Sequence, residues 1–243
     1  GDEAAVLESY AGRGDVLEFI EPVYVLEFFD TIPDDSQYSQ MYGLERINAP
    51  AAWDDHVGVQ EFAIAIIDSG SDTGHPDLQE NIWVNVDEIA GNGIDDDGNG
   101  EIDDVNGYDY FDDDPNPADQ NGHGTHTAGT VGARGNNGIG VVGVNWQCSI
   151  MALRVGNQSL STQAILDSLE YACVNGAKVS NNSYGGGGFS GAFSGLIQSA
   201  GVNYNHIFCA AAGNGGSNGA SYPAAYDLPN VLSVAATDSN DNL

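Results

Sequence analysis

Phe62-Ala-Ile-Ala-Ile-Ile67 is an unbroken apolar run that stops at Asp68, Ser69 and Gly70. A strand with no polar face has to be covered on both sides, which is the situation of a strand inside a parallel sheet. Ligands and chemistry collect at the carboxyl ends of such strands. Asp68 stands at one of these ends, where an ionised carboxylate is costly unless something pairs with it. Residues 149–155, 177–183, 207–212 and 230–236 read as further strands. Helical patterns lie between them. One covers residues 162–175, with Thr162 placed to cap it and Ile165, Leu166, Leu169 and Cys173 on its inner face; the other covers residues 193–204. Strands that alternate with helices predict an α/β fold, a doubly wound and mostly parallel sheet flanked by helices. The 243 residues suffice for one large domain with a substantial core.

Asn121-Gly-His-Gly-Thr-His-Thr-Ala-Gly-Thr-Val-Gly-Ala133 supplies a partner for Asp68. Two glycines bracket His123, so backbone can approach the ring from either side. From Thr125 onward the residues are small, which predicts a thin helix pressed against another element, with Asn121 or Thr125 as its cap. His123 then sits at a helix N-terminus, and the positive end of a helix dipole favours the neutral imidazole that a general base requires. A carboxylate partner fixes the tautomer and stabilises the imidazolium formed during proton transfer. Ile207-Phe-Cys-Ala-Ala-Ala-Gly-Asn-Gly-Gly216 is another strand breaking into a turn. Asn214 would present a neutral amide donor at the same sheet edge, suited to a developing oxyanion. His75 and His126 fit structural roles.

The chain carries 36 acidic against 5 basic residues, a formal charge of −31. Nucleic acid and anionic membranes repel such a surface, and no run of about 18 apolar residues is present for a membrane crossing. The expectation is a soluble, extracellular protein with neither partner. The odd set Cys148, Cys173 and Cys209 reads as small buried hydrophobes rather than as a disulfide pair with a remainder. Much of the acid lies in residues 79–120, a long loop with little periodicity, and loops of that length are functional or flexible. Within it Asp95, Asp97, Asn99 and Asp103 follow calcium-loop spacing with Gly100 at the turn, although Asn106 stands where the closing Glu belongs.

Taken together, Ile67-Asp-Ser-Gly70, His123-Gly-Thr-His126 and Ala212-Gly-Asn-Gly215 resemble the three motifs of the subtilisin-like serine proteases, the subtilases, and Asp before His is the subtilase order. The resemblance covers roughly residue 31 to the end. It implies a serine endopeptidase acting on polypeptides, with Asp68 orienting His123, His123 as base and Asn214 as oxyanion donor. It also implies pocket walls from Ser183, Tyr184 and Gly185 and from Ala211, Ala212 and Gly213. Asp109, Asp112, Asp114 and Asn116 match a calcium site of thermitase-like members of the family in their spacing to the His, with Ala118 where a fifth side chain is expected. A further implied calcium site takes carboxylates from Asp35 and Asp77, a side-chain oxygen from Asn137 and backbone carbonyls of Ile139 and Val141. Residues 1–30 resemble the close of an inhibitory propeptide, with a strand over residues 16–26 and a junction near Phe29 to Thr31. Residues 31–243 are then the catalytic domain of a monomer that has its own propeptide as a partner.

One departure stands out. The family's nucleophile sits in Gly-Thr-Ser-Met-Ala, and no such string occurs here; Ser183, Ser194, Ser199 and Ser221 lie in other contexts. The expectation is that the nucleophilic serine and the end of the fold lie beyond Leu243, so that these residues alone hydrolyse nothing. The alternatives are a non-catalytic binding protein derived from a subtilase, and a metalloenzyme using His123 and His126, which lacks the Glu base that paired histidines need.

Overall fold

The computed structural model describes residues 3–10, 13–14, 31–216 and 219–242. The chain divides into two compact units, Gly1–Asp30 and Thr31–Leu243. In the first, the described part is centred on a helix, α1 (Glu3–Tyr10). The strand expected over residues 16–26 and the start of the junction at Phe29 lie outside the described residues.

The second unit opens with two short helices, α2 (Tyr42–Arg46) and α3 (Ala49–Trp53), the latter entered at Pro50 as a proline-initiated helix should be. The elements that follow are β1 (Gly58–Asp68), β2 (Gly107–Asp109), α4 (His123–Gly132), β3 (Gln147–Arg154), α5 (Thr162–Val174), β4 (Val179–Asn182), α6 (Gly191–Tyr204), β5 (Ile207–Ala211) and β6 (Val231–Val234). The six strands form one sheet in the order β2-β3-β1-β4-β5-β6, and every pairing is parallel. β1 lies inside the sheet, with β3 on one side and β4 on the other.

The burial of β1 explains its continuous apolar run. Ile64 and Ile66 pack with Ala128 and Ala133 near α4 and with Cys148 and Ile150. Ala65 and Ile67 point to the other face, among Ala164, Leu169 and Ala172 of α5, Ile197 of α6 and Phe208 of β5. Burying an isoleucine side chain stabilises by about 1.5–3 kcal/mol. The three buried isoleucines of β1 together therefore outweigh much of the several kcal/mol that a desolvated carboxylate at its end costs. A smaller cluster, Leu44, Ala49, Trp53, Val142 and Trp146, fastens α2 and α3 to the same unit. Cys148 and Cys173 are buried, Cys209 is partly buried, and all three are free thiols, as their reading as small hydrophobes anticipated. Among the described residues no helix is long and apolar enough to cross a membrane.

Three local expectations need correction. α5 is capped by Ser161, whose Oγ accepts the Ala164 amide at 3.3 Å, so Thr162 is already the first helical residue. α4 has Gly122 at its N-cap, in a left-handed conformation at φ 95°, and neither Asn121 nor Thr125 caps it. The stretch 79–120 is not wholly irregular, because it holds a 3-10 turn at Gln79–Asn81 and the buried strand β2. A three-residue strand opening on glycine has no period to detect.

His206 lies 1% exposed at the foot of β5. Its Nδ1 is 2.9 Å from the Ala177 carbonyl, an obligate acceptor, so Nδ1 carries the proton; Nε2, 2.9 Å from Ser180 Oγ, accepts that hydroxyl. Burial, aided by the charge of Lys178, holds this imidazole below its ordinary range. Below about pH 6.5 the unfolded chain therefore binds a proton that the folded chain resists, and stability falls as pH falls. The unfolding midpoint is expected to drop between pH 7.5 and 5.5, and to drop less in His206→Gln; parallel pH dependences would refute the assignment.

Candidate active site

β1 delivers Asp68 to the carboxyl edge of the sheet, and α4 delivers His123 as its first residue. The two meet with His123 Nδ1 2.6 Å from Asp68 Oδ1. The same oxygen accepts the Ser69 amide at 2.7 Å, and Oδ2 accepts Thr127 Oγ1 at 3.3 Å. The Asp68 side chain is 4% exposed and the His123 side chain 52% exposed. A carboxylate can only accept, so the ring proton lies on Nδ1, which leaves Nε2 as the basic nitrogen. Close approach is a matter of space as well as charge. A Cβ on Gly124 would lie 1.9 Å from the Gly70 carbonyl oxygen and 3.1 Å from Asp68 Cβ, so only glycine lets the helix start meet the strand end.

Asp68 and His123 line a cleft of 680 Å³ together with Ser183, Tyr184 and Gly185, and with Leu160, Ile165, Phe193 and Tyr226. Burial, and then the charge of Asp68, keeps the Tyr184 phenol protonated far above its ordinary range, and its hydroxyl donates to Asn182 Oδ1 at 2.8 Å. Tyr184 is thus a neutral wall. β4 and β5 pair in register, with Asn182 opposite Ala210, so residues 183–185 and 211–213 leave the sheet as neighbours. A Cβ on Gly185 would lie 3.8 Å from the Ala211 carbonyl oxygen.

Asn214 departs from the expected convergence. Gly213, at φ 113°, turns the chain after β5, and Asn214 follows on an exposed turn. With Ala212, Gly213, Ser221 and Asp238 it lines a separate hollow of 440 Å³, and it is not among the residues lining the Asp68–His123 cleft. The structure therefore joins Asp68, His123 and the 183–185 wall, and leaves the carboxamide on the neighbouring strand end.

The three expected metal-ligand sets fare differently. Asp35 and Asp77 are both buried, and the loop after α4 wraps them. Asn136 donates its amide to Asp35 at 2.7 Å, while Asn137 Nδ2 and the Val141 amide reach Asp77 at 2.9 and 2.8 Å. Burial raises the Asp35 carboxyl above its ordinary value against the pull of the Asn136 and Asn137 backbone amides, and among the described residues no ion pair to either carboxylate is present. These hard oxygens fit a calcium ion. In the acidic loop the clustered ligands are Glu88, Asp95 and Asp97, whose oxygens lie within 4.8 Å of one another. Asp103 is turned away to accept the Asn92 and Gly93 amides, and the Asn99 side chain donates to Asp97 and Asp104. Glu88 comes from outside the spaced motif, so no local pattern could mark it. The third set is held differently. The buried guanidinium of Arg154 bonds Asp109 and, at 2.5 Å, Asp112, while Asp114 accepts the Asn116 amide at 2.8 Å. One internal cation thus holds two of the three carboxylates, and a metal ion there would have to compete with Arg154 for them. His75 Nδ1 accepts the Asp77 amide at 3.2 Å and His126 is exposed, neither bearing on the cleft.

Comparison with known proteins bears out the family resemblance. Residues 60–243 match the peptidase S8 profile, described as the subtilase family. Thermitase of Thermoactinomyces vulgaris is 37% identical over 215 residues, which cover 86% of this chain and 67% of that protein. A thermophilic serine proteinase of Bacillus sp. (strain AK1) is 32% identical across 100% of this chain and 55% of its own length. A solved structure titled as proteases from Pseudoalteromonas arctica PAMC 21717 superimposes with a TM-score of 0.69 at 27% identity, covering 86% of this chain and 67% of that one. The chain thus spans between about half and two thirds of the length of these three proteins.

Arg154 is 2% exposed and Asp109 1% exposed, so removing the cation strands a buried carboxylate. Arg154→Met is expected to lower unfolding stability by about 3–5 kcal/mol in denaturant titrations. Adding Asp109→Asn should recover much of the loss.

Proposed function

The chain belongs to the subtilase family, and on that premise we propose that residues 31–243 are the larger part of the catalytic domain of a secreted, calcium-stabilised serine endopeptidase. The observation that carries the reading is the 2.6 Å contact of His123 Nδ1 with a buried Asp68, which leaves Nε2 free beside the cleft. In this reading His123 Nε2 takes the proton of a serine hydroxyl as that oxygen attacks a peptide carbonyl, and later returns it to the leaving amine. Asp68 stays ionised and holds the ring. Asn214 donates to the oxyanion, which requires its exposed turn to swing toward the cleft. None of the serines in residues 1–243 stands in the family's nucleophile motif, so in this reading none of them is the attacking group.

The substrate is an extended polypeptide. Glycines 185–188 leave bare, exposed backbone along the cleft for strand-like pairing. Walls of Leu160, Ile165, Tyr184, Phe193 and Tyr226 favour large apolar side chains. In this reading Ser183 to Gly185, which line the cleft, form one wall of the primary pocket, and Ala211 to Gly213, of which Ala212 and Gly213 line the neighbouring hollow, form the other. Calcium would be held by Asp35, Asp77 and Asn137, with the carbonyls of Ile139 and Val141, and by Glu88, Asp95 and Asp97; the ion would neutralise carboxylates packed against one another. The separate unit Gly1–Asp30 is read as a propeptide remnant, and the protein as a zymogen-derived monomer.

Residues 1–243 alone are expected to leave a peptide anilide uncleaved. Continued through a Gly-Thr-Ser-Met-Ala segment, the chain should cleave it and lose at least about a thousandfold in kcat on His123→Ala. Turnover that survives His123→Ala would refute the assignment, and inactivity of the extended chain would favour the binding-protein alternative. Chelation should lower the unfolding midpoint and added calcium restore it, whereas a midpoint indifferent to both would remove the metal from the account.

A further inference from the structure

The first amides of a helix have no intrahelical acceptors, and α4 has only glycine at its N-cap. Its needs are met from elsewhere. The Gly124 amide donates to Ser69 Oγ at 3.0 Å and the Thr125 amide to Asp119 at 2.8 Å. Thr125 Oγ1 donates to the same Asp119 oxygen at 2.7 Å. The other Asp119 oxygen accepts the amides of Asn121 at 2.8 Å and Gly122 at 2.9 Å, and the hydroxyl of Ser69 at 2.9 Å. One carboxylate thus grips both the residue that follows Asp68 and the turn that carries His123. The loop bearing it is locked to the strand end. The Ser71 amide donates to the Pro117 carbonyl at 2.9 Å, and a Cβ on Gly70 would lie 2.4 Å from that oxygen. Burial alone would raise the Asp119 carboxyl, but the amides of Thr125, Asn121 and Gly122 outweigh it and hold the group below its ordinary value.

We propose that Asp119 is the positioning residue of the site: through Ser69 on one side and the first turn of α4 on the other, it sets the separation of Asp68 and His123. The role rests on reading that pair as the catalytic base. Asp68 and His123 lie on different elements, and a bond of 2.6 Å between a buried carboxylate and a half-exposed ring tolerates little relative movement. Misplacement of catalytic groups by about 1 Å can cost on the order of a hundredfold in rate. An ordinary helix cap would affect stability and nothing else, which makes the two roles separable.

Asp119→Asn keeps one acceptor and loses the second. Ser69→Ala removes the link to the strand end, and with it the acceptor of the Gly124 amide, and leaves the bonds of Asp119 to Asn121, Gly122 and Thr125 intact. The ring ¹⁵N shifts of His123 at pH 8 report which nitrogen carries the proton. In residues 1–243 the parent should show a proton on Nδ1, and both variants should shift toward the Nε2-protonated form that free imidazole prefers. In the chain extended through the nucleophile, both should lose about 10–100-fold in kcat with KM changed less than about twofold. Unaltered shifts and kcat in folded Asp119→Asn would overturn the proposal, and if that variant fails to fold, the same result in Ser69→Ala overturns it. If the extended chain cleaves nothing while the ring shifts still move, the protease reading fails and the clamp stands.

Discussion

A carboxylate is held almost out of water at the end of a strand that is apolar on both faces. That placement is the constraint around which the domain is arranged. β1 can stay inside the sheet only because α4 covers one of its faces and α5 and α6 the other. Once it is there, Asp68 emerges where solvent cannot solvate it, and the imidazole of His123, the Ser69 amide and the Thr127 hydroxyl take the place of water. Burial of the acid and exposure of the base are two sides of one arrangement. The carboxylate is desolvated enough to hold the ring firmly, and the ring keeps its second nitrogen accessible.

The same problem recurs across a chain with 36 acidic and 5 basic residues. Asp35, Asp68, Asp77, Glu88, Asp104, Asp109 and Arg154 are all buried. With few cations available, most of these acids are satisfied by backbone amides, by hydroxyls and by Asn side chains. Asp104 accepts from Tyr171, Asn85 and Asn99. Asp109 instead receives Arg154, which is stacked at 5.4 Å over the ring of Phe111. Acids that lack a guanidinium, such as the buried Asp35 and Asp77, or the buried Glu88 with the half-buried Asp95 and the exposed Asp97, are where a hard dication has the most to offer. Charge supply, more than ligand spacing, separates these two clusters from the third.

Legibility followed the length and regularity of each pattern. β1, β3, β5 and the two long helices announce themselves by apolar runs or by 3.6-residue periodicity sustained over several turns. β2 has three residues and no period, and it owes its existence to β3, along whose edge it hydrogen-bonds. The cap of α5 lies one residue before the expected Thr162, because Ser161 and Thr162 are both able to cap and backbone geometry chooses between them. Glu88, Asp119 and Arg154 escaped for a different reason. Each acts on residues to which no local motif ties it, and nothing in the surrounding composition marks it out.

The sequence by itself determined the longer strands and helices, which strand must lie buried inside the sheet, and that Asp68 and His123 are the groups worth pairing. These are local properties, written in side-chain polarity and in glycines where backbone has to pass close. Tertiary structure alone decided which buried carboxylates meet a guanidinium and which meet only amides. It also decided that Asp119 joins the strand end to the helix start, and that Asn214 follows an exposed turn beside the cleft rather than in it. Such outcomes depend on distances between segments far apart along the chain, and those distances exist only once the sheet has brought the strand ends to a common edge.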